Sequence, residues 1–164
     1  MTVKTGIYPG AFDPLTFGHL DIIKRSLNIV DKLIIGVADN TNKKSLLSID
    51  DRKKLILSDI ATYLETNADI KIATINGLLT DYASKNNVTC IIRGLRAVSD
   101  FEYEFQMTGM NYQLNPNVDT IFLMSSEKYS FISSNFIKEV HKLGGDVSRF
   151  VSKNTINILN TKNI

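Results

Sequence analysis

Short apolar runs rich in β-branched residues recur along this chain, with helical stretches in the intervals between them. The runs are Thr5-Gly6-Ile7-Tyr8, Lys32 to Val37, Ile70 to Ile75, Thr89 to Ile92 and Thr120 to Met124. They are near-continuous rather than alternating, so each strand must be covered on both faces. That requirement points to a parallel sheet packed between helices.

The intervals read as helices with plausible ends. The first carries an apolar face of Leu20, Ile23, Leu27 and Val30. Ser48-Ile49-Asp50-Asp51 opens a second that runs to about Leu64, and a third spans Leu78 to about Asn86. Ser99-Asp100-Phe101-Glu102 has the form of a capping box. Another helix begins near Ser133 or Ser134 and stops at Gly144-Gly145. Asn154 to Ile164 reads as a weak terminal helix or a frayed tail. Right-handed crossovers wind this order into an α/β, Rossmann-like doubly wound sheet with helices on both faces. At 164 residues, without linker or repeat, the expectation is a single domain over 1–164.

A formal net charge of +2 is too small for a nucleic-acid footprint, so anion recognition has to be local. Cys90 lies in the apolar run Val88 to Ile92 and reads as a buried small hydrophobe, with no disulfide possible within the chain. No apolar signal core or membrane-length segment stands out, so a soluble, cytoplasmic protein is expected.

In a doubly wound sheet the ligand sits beyond the carboxyl ends of the strands, and there the polar residues gather. After the first strand comes Tyr8-Pro9-Gly10-Ala11-Phe12-Asp13-Pro14-Leu15-Thr16-Phe17-Gly18-His19. Gly10 reads as the hard turn and Thr16 as the N-cap of the following helix. Gly18 and His19 fall in the first helical turn, where unpaired N–H groups and the dipole favour anions. No Gly-x-x-x-x-Gly-Lys-Ser/Thr loop and no strand-borne Gly-x-Gly-x-x-Gly competes with it. After the second strand lie Lys43 and Lys44, and after the fourth Arg93-Gly94-Leu95-Arg96. Two guanidinium forks around a glycine can grip phosphate oxygens closely. Tyr129-Ser130-Phe131-Ile132-Ser133-Ser134-Asn135 sets hydroxyls around a helix start, where one serves as cap and the set suits a polyphosphate. His141 is most simply a surface residue.

The first block resembles the (Thr/His)-x-Gly-His motif of the nucleotidyltransferase superfamily. Together with Lys43-Lys44, Ile92 to Arg96, Asp100 to Glu104 and Ser130 to Ser134, taken in order, nearly the whole chain resembles the bacterial phosphopantetheine adenylyltransferases. This resemblance implies transfer of AMP from ATP to 4′-phosphopantetheine, giving dephospho-coenzyme A and pyrophosphate. It implies ATP contacts at Ala11, Phe12, His19, Gly94, Leu95, Arg96, Glu104 and Tyr129, Ser130, Phe131, Ile132, Ser133, Ser134 and Asn135. It implies phosphopantetheine contacts at Ala11, Lys43, Leu79 and Arg93, and a homohexamer. Position 11 usually carries Thr or Ser in that family, position 129 Trp, and position 135 Ser; here they are Ala, Tyr and Asn.

The attacking phosphate monoester is mostly a dianion near neutral pH, its second pKa being about 6, so no general base is needed. What the site must supply is alignment and charge neutralisation as pyrophosphate leaves. The resemblance assigns His19, Lys43 and Arg93 as catalytic, on the transferring and leaving, the α- and the attacking phosphates respectively. Arg96 and the serine-rich helix start hold the triphosphate. Mg²⁺ is implied as an ion carried by ATP on its own oxygens, without a protein metal site. Two other readings remain open at this point. One is a nucleotidyltransferase with nicotinamide mononucleotide or glycerol phosphate as acceptor; the other is a nucleotide-sensing module without turnover.

Overall fold

A computed structural model describes residues 3–39, 45–96 and 98–162. Five parallel strands form one sheet in the order β3-β2-β1-β4-β5. In chain order the elements are β1 (Thr5–Gly10), α1 (Phe17–Ser26), β2 (Lys32–Ala38), α2 (Ile49–Tyr63), β3 (Asp69–Ile75) and α3 (Leu79–Lys85). They continue with β4 (Cys90–Leu95), α4 (Val98–Leu114), β5 (Asp119–Met124), α5 (Ser134–Lys142) and α6 (Lys153–Thr161).

Alternation along each strand divides the core. Leu33, Ile35 and Val37 of β2 pack with Leu20, Ile22 and Ile23 of α1 and Ile56 of α2. Ile34 turns to the other face, where it joins Ile7, Ile91 and Ala83 of α3. The apolar runs of β1, β2 and β4 are therefore strands buried on both sides, whereas the runs of β3 and β5 form the sheet's edges and are only partly buried, because each has a strand on one side only. Cys90 is buried and burial raises its thiol pKa, which suits a core residue and not a nucleophile. A third cluster, Ile132, Ile137, Val147, Val151 and Leu159, holds α5 and α6 together. The C-terminal segment is thus a docked helix: Ser152 caps α6 at Thr155 N–H, and Asn154 donates to Ser58 and Asp59 of α2.

Two local expectations are corrected. Helix α4 already includes Val98, so Ser99 lies inside its first turn and not at its cap. Gly10 is not the turning residue; it remains within β1, and Phe12 takes the left-handed conformation at φ 50. A Cβ at position 10 would lie 3.0–3.3 Å from the Phe12 ring. Glycine is needed there because that ring folds back onto it.

Helix α4 has an inverted pattern. Among the described residues Phe101 to Leu114, Glu104 is the buried one, while Tyr103, Phe105, Met110 and Tyr112 are more than half exposed. Over these residues the apolar groups of the helix therefore lie on the surface, not in the core.

Candidate active site

The sheet opens between β1 and β4. These strands pair only at Gly6↔Cys90 and Ile7↔Ile91, although β4 stays paired with β5 as far as Leu95↔Met124. A cavity of about 750 Å³ lies over this crevice. Its walls come from the β1–α1 loop, the end of β4, α4 and the start of α5. It lies at the reversal of strand order, where doubly wound sheets bind ligands.

His19 is set by its own helix start. Thr16 caps α1, and the Thr16 N–H donates to His19 Nδ1 at 3.0 Å, with the Thr16 hydroxyl 2.9 Å from the same nitrogen. An Nδ1 that accepts carries no proton, so the ring's N–H is on Nε2. Burial, with the Arg96 charge in support, lowers the His19 pKa to about 4. At neutral pH this side chain is a neutral, oriented donor. The Phe12 ring meets it edge-on, with centroids 5.2 Å apart.

Arg93 reaches across the open edge. Its Nη1 donates to the Pro9 carbonyl at 3.0 Å, and its Nε to Glu104 Oε2 at 2.7 Å, with Nη2 on Glu104 Oε1 completing a fork. The buried glutamate of α4 is explained by this pair: it answers a cation held largely out of water. Gly94 lets the strand end pack tightly, since a Cβ there would meet Ile22 at 3.1 Å. Arg96 Nη1 lies 3.4 Å from the Ile132 carbonyl, beside the serine-rich turn.

Of the residues singled out in the sequence, Ala11, Phe12, His19, Arg93, Gly94, Arg96 and Glu104 line this cavity, as do Tyr129, Ile132, Ser133, Ser134 and Asn135. Lys43 lies outside the described residues. Leu95 is buried in the core instead. Ser130 donates to the Glu127 carbonyl at 3.0 Å, and Phe131 is exposed against Phe150. Leu79 starts α3 and packs with the cluster on the opposite face of the sheet. Ser133 caps α5, as expected of one hydroxyl in the run, and Ser134 donates to the Pro14 carbonyl at 2.8 Å.

An Asp13–Lys138 pair was missed. The buried Asp13 carboxylate accepts from the N–H groups of Leu46 and Leu47 at 2.9 and 2.8 Å, and from Lys138 Nζ at 3.0 Å. It ties the β1–α1 loop to the segment before α2 and to α5. Lys138 sits four residues after Ser134, one helical turn on the same face, but nothing in that spacing names Asp13, 125 residues away, as its partner.

Residues 7–140 match the Cytidylyltransferase-like family model. The chain is 56% identical over 150 residues to the phosphopantetheine adenylyltransferase of Wolbachia pipientis subsp. Culex pipiens (strain wPip), covering 92% of this chain and 88% of that one. The chain belongs to the phosphopantetheine adenylyltransferase family. A more distant member, from Rhodospirillum centenum (strain ATCC 51521 / SW), is 50% identical over 149 residues, covering 91% of this chain and 81% of that one. The family's fold extends to solved structures of low identity. The Plasmodium falciparum nicotinic acid mononucleotide adenylyltransferase complexed with NaAD superposes with TM-score 0.71 at 16% identity, covering 99% of this chain and 97% of that one. The Francisella tularensis bifunctional NMN adenylyltransferase/ADP ribose pyrophosphatase gives TM-score 0.71 at 18% identity, covering 98% of this chain and 49% of that one. Among the described residues no helix is long and apolar enough to cross a membrane.

Proposed function

We infer that this chain transfers the adenylyl group of ATP to 4′-phosphopantetheine, releasing pyrophosphate and forming dephospho-coenzyme A. Family membership supports the reaction, and the observation that carries it to this site is that His19 and Arg93, two side chains with N–H donors, line the open crevice. His19 presents a neutral Nε2–H from the α1 side; Arg93 stands on the β4 side, with its charge held by Glu104. A phosphate oxygen of the acceptor attacks the α-phosphorus, the bond to the bridging oxygen breaks, and the electron pair leaves with pyrophosphate. The acceptor dianion needs no base, so the site's work is alignment and charge.

We assign the roles from the family resemblance and from the side chains that line the crevice, Lys43 from the resemblance alone. His19 donates to the transferring and leaving phosphates, Arg93 faces the acceptor phosphate, and Lys43 is assigned to the α-phosphate. Arg96, with the turn from Tyr129 to Asn135, holds the rest of the nucleotide. ATP enters as its Mg²⁺ complex: Asp13 and Glu104 in the cavity already serve Lys138 and Arg93, so the ion is carried by substrate oxygens. We assign the exposed apolar side of α4 to contacts within a homohexamer, and the protein to the cytoplasm. Light scattering on the purified chain tests the assembly.

The experiment that decides the activity is pyrophosphate release from MgATP. Release that depends on added phosphopantetheine supports the reading. Release with nicotinamide mononucleotide or glycerol phosphate instead moves the chain to another acceptor. ATP binding without release under any acceptor leaves the nucleotide-sensing reading.

A further inference from the structure

Arg52, on the first turns of α2, is 3% exposed and does not line the cavity. Its hydrogen bonds among the described residues all end on main-chain carbonyls. Nη1 donates to Ala11 O at 2.8 Å and to Ala38 O at 3.1 Å, and Nε to Ser48 O at 3.4 Å. Ala11 and Ala38 both line the cavity. They are also the residues immediately beyond the last β1–β2 pair, Gly10↔Val37. A buried guanidinium therefore sits where the ladder would have continued.

The parity of the ladder shows what it displaces. Lys32 N–H donates to Lys4 O, whereas Thr89 N–H donates to Thr5 O. Even-numbered residues of β1 thus bond toward β2, and odd-numbered ones toward β4. Continued in register, Phe12 N–H would donate to Ala38 O and Ala11 O would face the β4 side. Neither occurs. Both carbonyls are on Arg52, so the Ala11–Phe12 peptide is turned over. A trans peptide carries its C=O and N–H on opposite sides, and the peptide here is trans. Its N–H therefore faces away from β2, toward the open crevice. The reversal is recorded at Phe12, whose φ of 50 is unusual for a bulky residue and persists only where the surroundings hold it. Among the described residues no acceptor answers the Phe12 N–H.

The geometry points to Arg52 as a positioning residue that holds the Ala11–Phe12 peptide in this reversed orientation and so aims the Phe12 N–H at the nucleotide phosphates. Position 11 has no side-chain hydroxyl, which leaves the main-chain donor of this loop to serve the anion. The cation also polarises the peptide it grips, strengthening its N–H as a donor. Lysine would keep the charge without the planar fork that spans Ala11, Ala38 and Ser48.

This inference rests on the adenylyl-transfer reading only for the identity of the anion. Pyrophosphate release by the unaltered protein tests that reading on its own. Arg52→Lys and Arg52→Met are then compared with it for thermal midpoint, affinity for α,β-methylene-ATP by calorimetry, and the Phe12 amide resonance in ¹⁵N-labelled protein. In the unaltered protein, analogue addition shifts the Phe12 amide strongly. Arg52→Lys should weaken analogue binding at least fivefold, raise KM for ATP more than KM for phosphopantetheine, and abolish the Phe12 shift. Arg52→Met should lose more. If Arg52→Met does not fold, Arg52→Lys decides alone. A folded Arg52→Lys that binds the analogue as the unaltered protein does, with the Phe12 shift intact, overturns the proposal. So does an unaltered protein whose Phe12 amide ignores the analogue.

Discussion

The two edges of β1 end in different ways. Toward β2 the ladder runs from Thr5↔Lys32 to Gly10↔Val37, backbone to backbone along the whole strand. Toward β4 it stops at Ile7↔Ile91, and beyond that point a side chain, Arg93, spans the gap to Pro9 O. Proline suits this position because it has no N–H and the open edge asks it for none. The closed edge supplies rigidity and the open edge supplies room, so chemistry can be placed within a sheet without unmaking it. Substitutions on the closed edge should register as stability, and those on the open edge as kinetics.

The largest effect should come from His19→Ala on the open side. Loss of one preorganised donor is expected to lower kcat by about a hundredfold or more, with a much smaller change in KM for ATP. Steady-state kinetics that show normal kcat and only a raised KM would make His19 a binding group and remove the open edge's main kinetic marker.

Gly36→Ala probes the closed edge. A Cβ at this position would lie 2.2 Å from Ile75 Cδ1, so the core has to shift. Overpacking of this kind costs about 1–3 kcal/mol. The thermal midpoint should drop by roughly 2–10 °C, with kcat unchanged once the protein is folded. A kinetic loss at an unchanged midpoint would contradict the division between the edges.

Arg93→Lys returns to the open edge. The charge survives and the fork to Glu104 does not, so use of phosphopantetheine should fall about tenfold while ATP binding without acceptor is nearly unchanged. Collapse of ATP affinity would place this arginine on the other substrate. Ala11→Thr should do less, since the main-chain donors are already aimed: kcat/KM should move by less than about tenfold. An inert protein that Ala11→Thr switches on would instead favour the nucleotide-sensing reading.

The smallest expected effect is of pH on His19. Its pKa is lowered to about 4, so the imidazole stays neutral from pH 6 to 8 and contributes no step to kcat there. The sign for stability is the reverse of a paired histidine. Below an ordinary pKa of about 6.5 the unfolded chain takes up a proton that the folded chain refuses until about pH 4. Stability contributed at this residue is therefore lost as pH falls across that window. His19→Ala should flatten this part of the profile in pH-dependent melting; an unchanged slope would assign it to other groups.

Much of this site was legible because its residues carry local signals. Thr16 and His19 are three apart at a helix start, and Arg93, Gly94 and Arg96 sit at the end of an apolar run; both patterns are short-range and survive without knowledge of the fold. Asp13 with Lys138 and Arg52 with Ala11 were not legible. Each joins residues distant in sequence, and an acidic or basic side chain in a turn or on a helix looks solvated until its neighbours are known. Glu104 illustrates the same limit from the other side: its role in the nucleotide site was suggested by resemblance, but its partner Arg93 appears only in three dimensions.

By itself the sequence determined the alternating α/β sheet, because apolar strands separated by helices have to be covered by them, and it placed His19 in the first turn of α1, three residues after its Thr16 cap. That His19 is a neutral donor was decided by tertiary burial beside Arg96. Only the tertiary structure decided where the sheet opens, since that depends on β1 and β4 parting while β4 stays with β5. It also decided which way the Ala11–Phe12 peptide faces, since left-handed backbone at Phe12 is unfavourable locally and is held by a guanidinium that arrives from α2. And it decided that α4 turns its glutamate inward and its aromatics outward, because satisfying the buried Arg93 charge outweighs burial of any one apolar side chain on that helix.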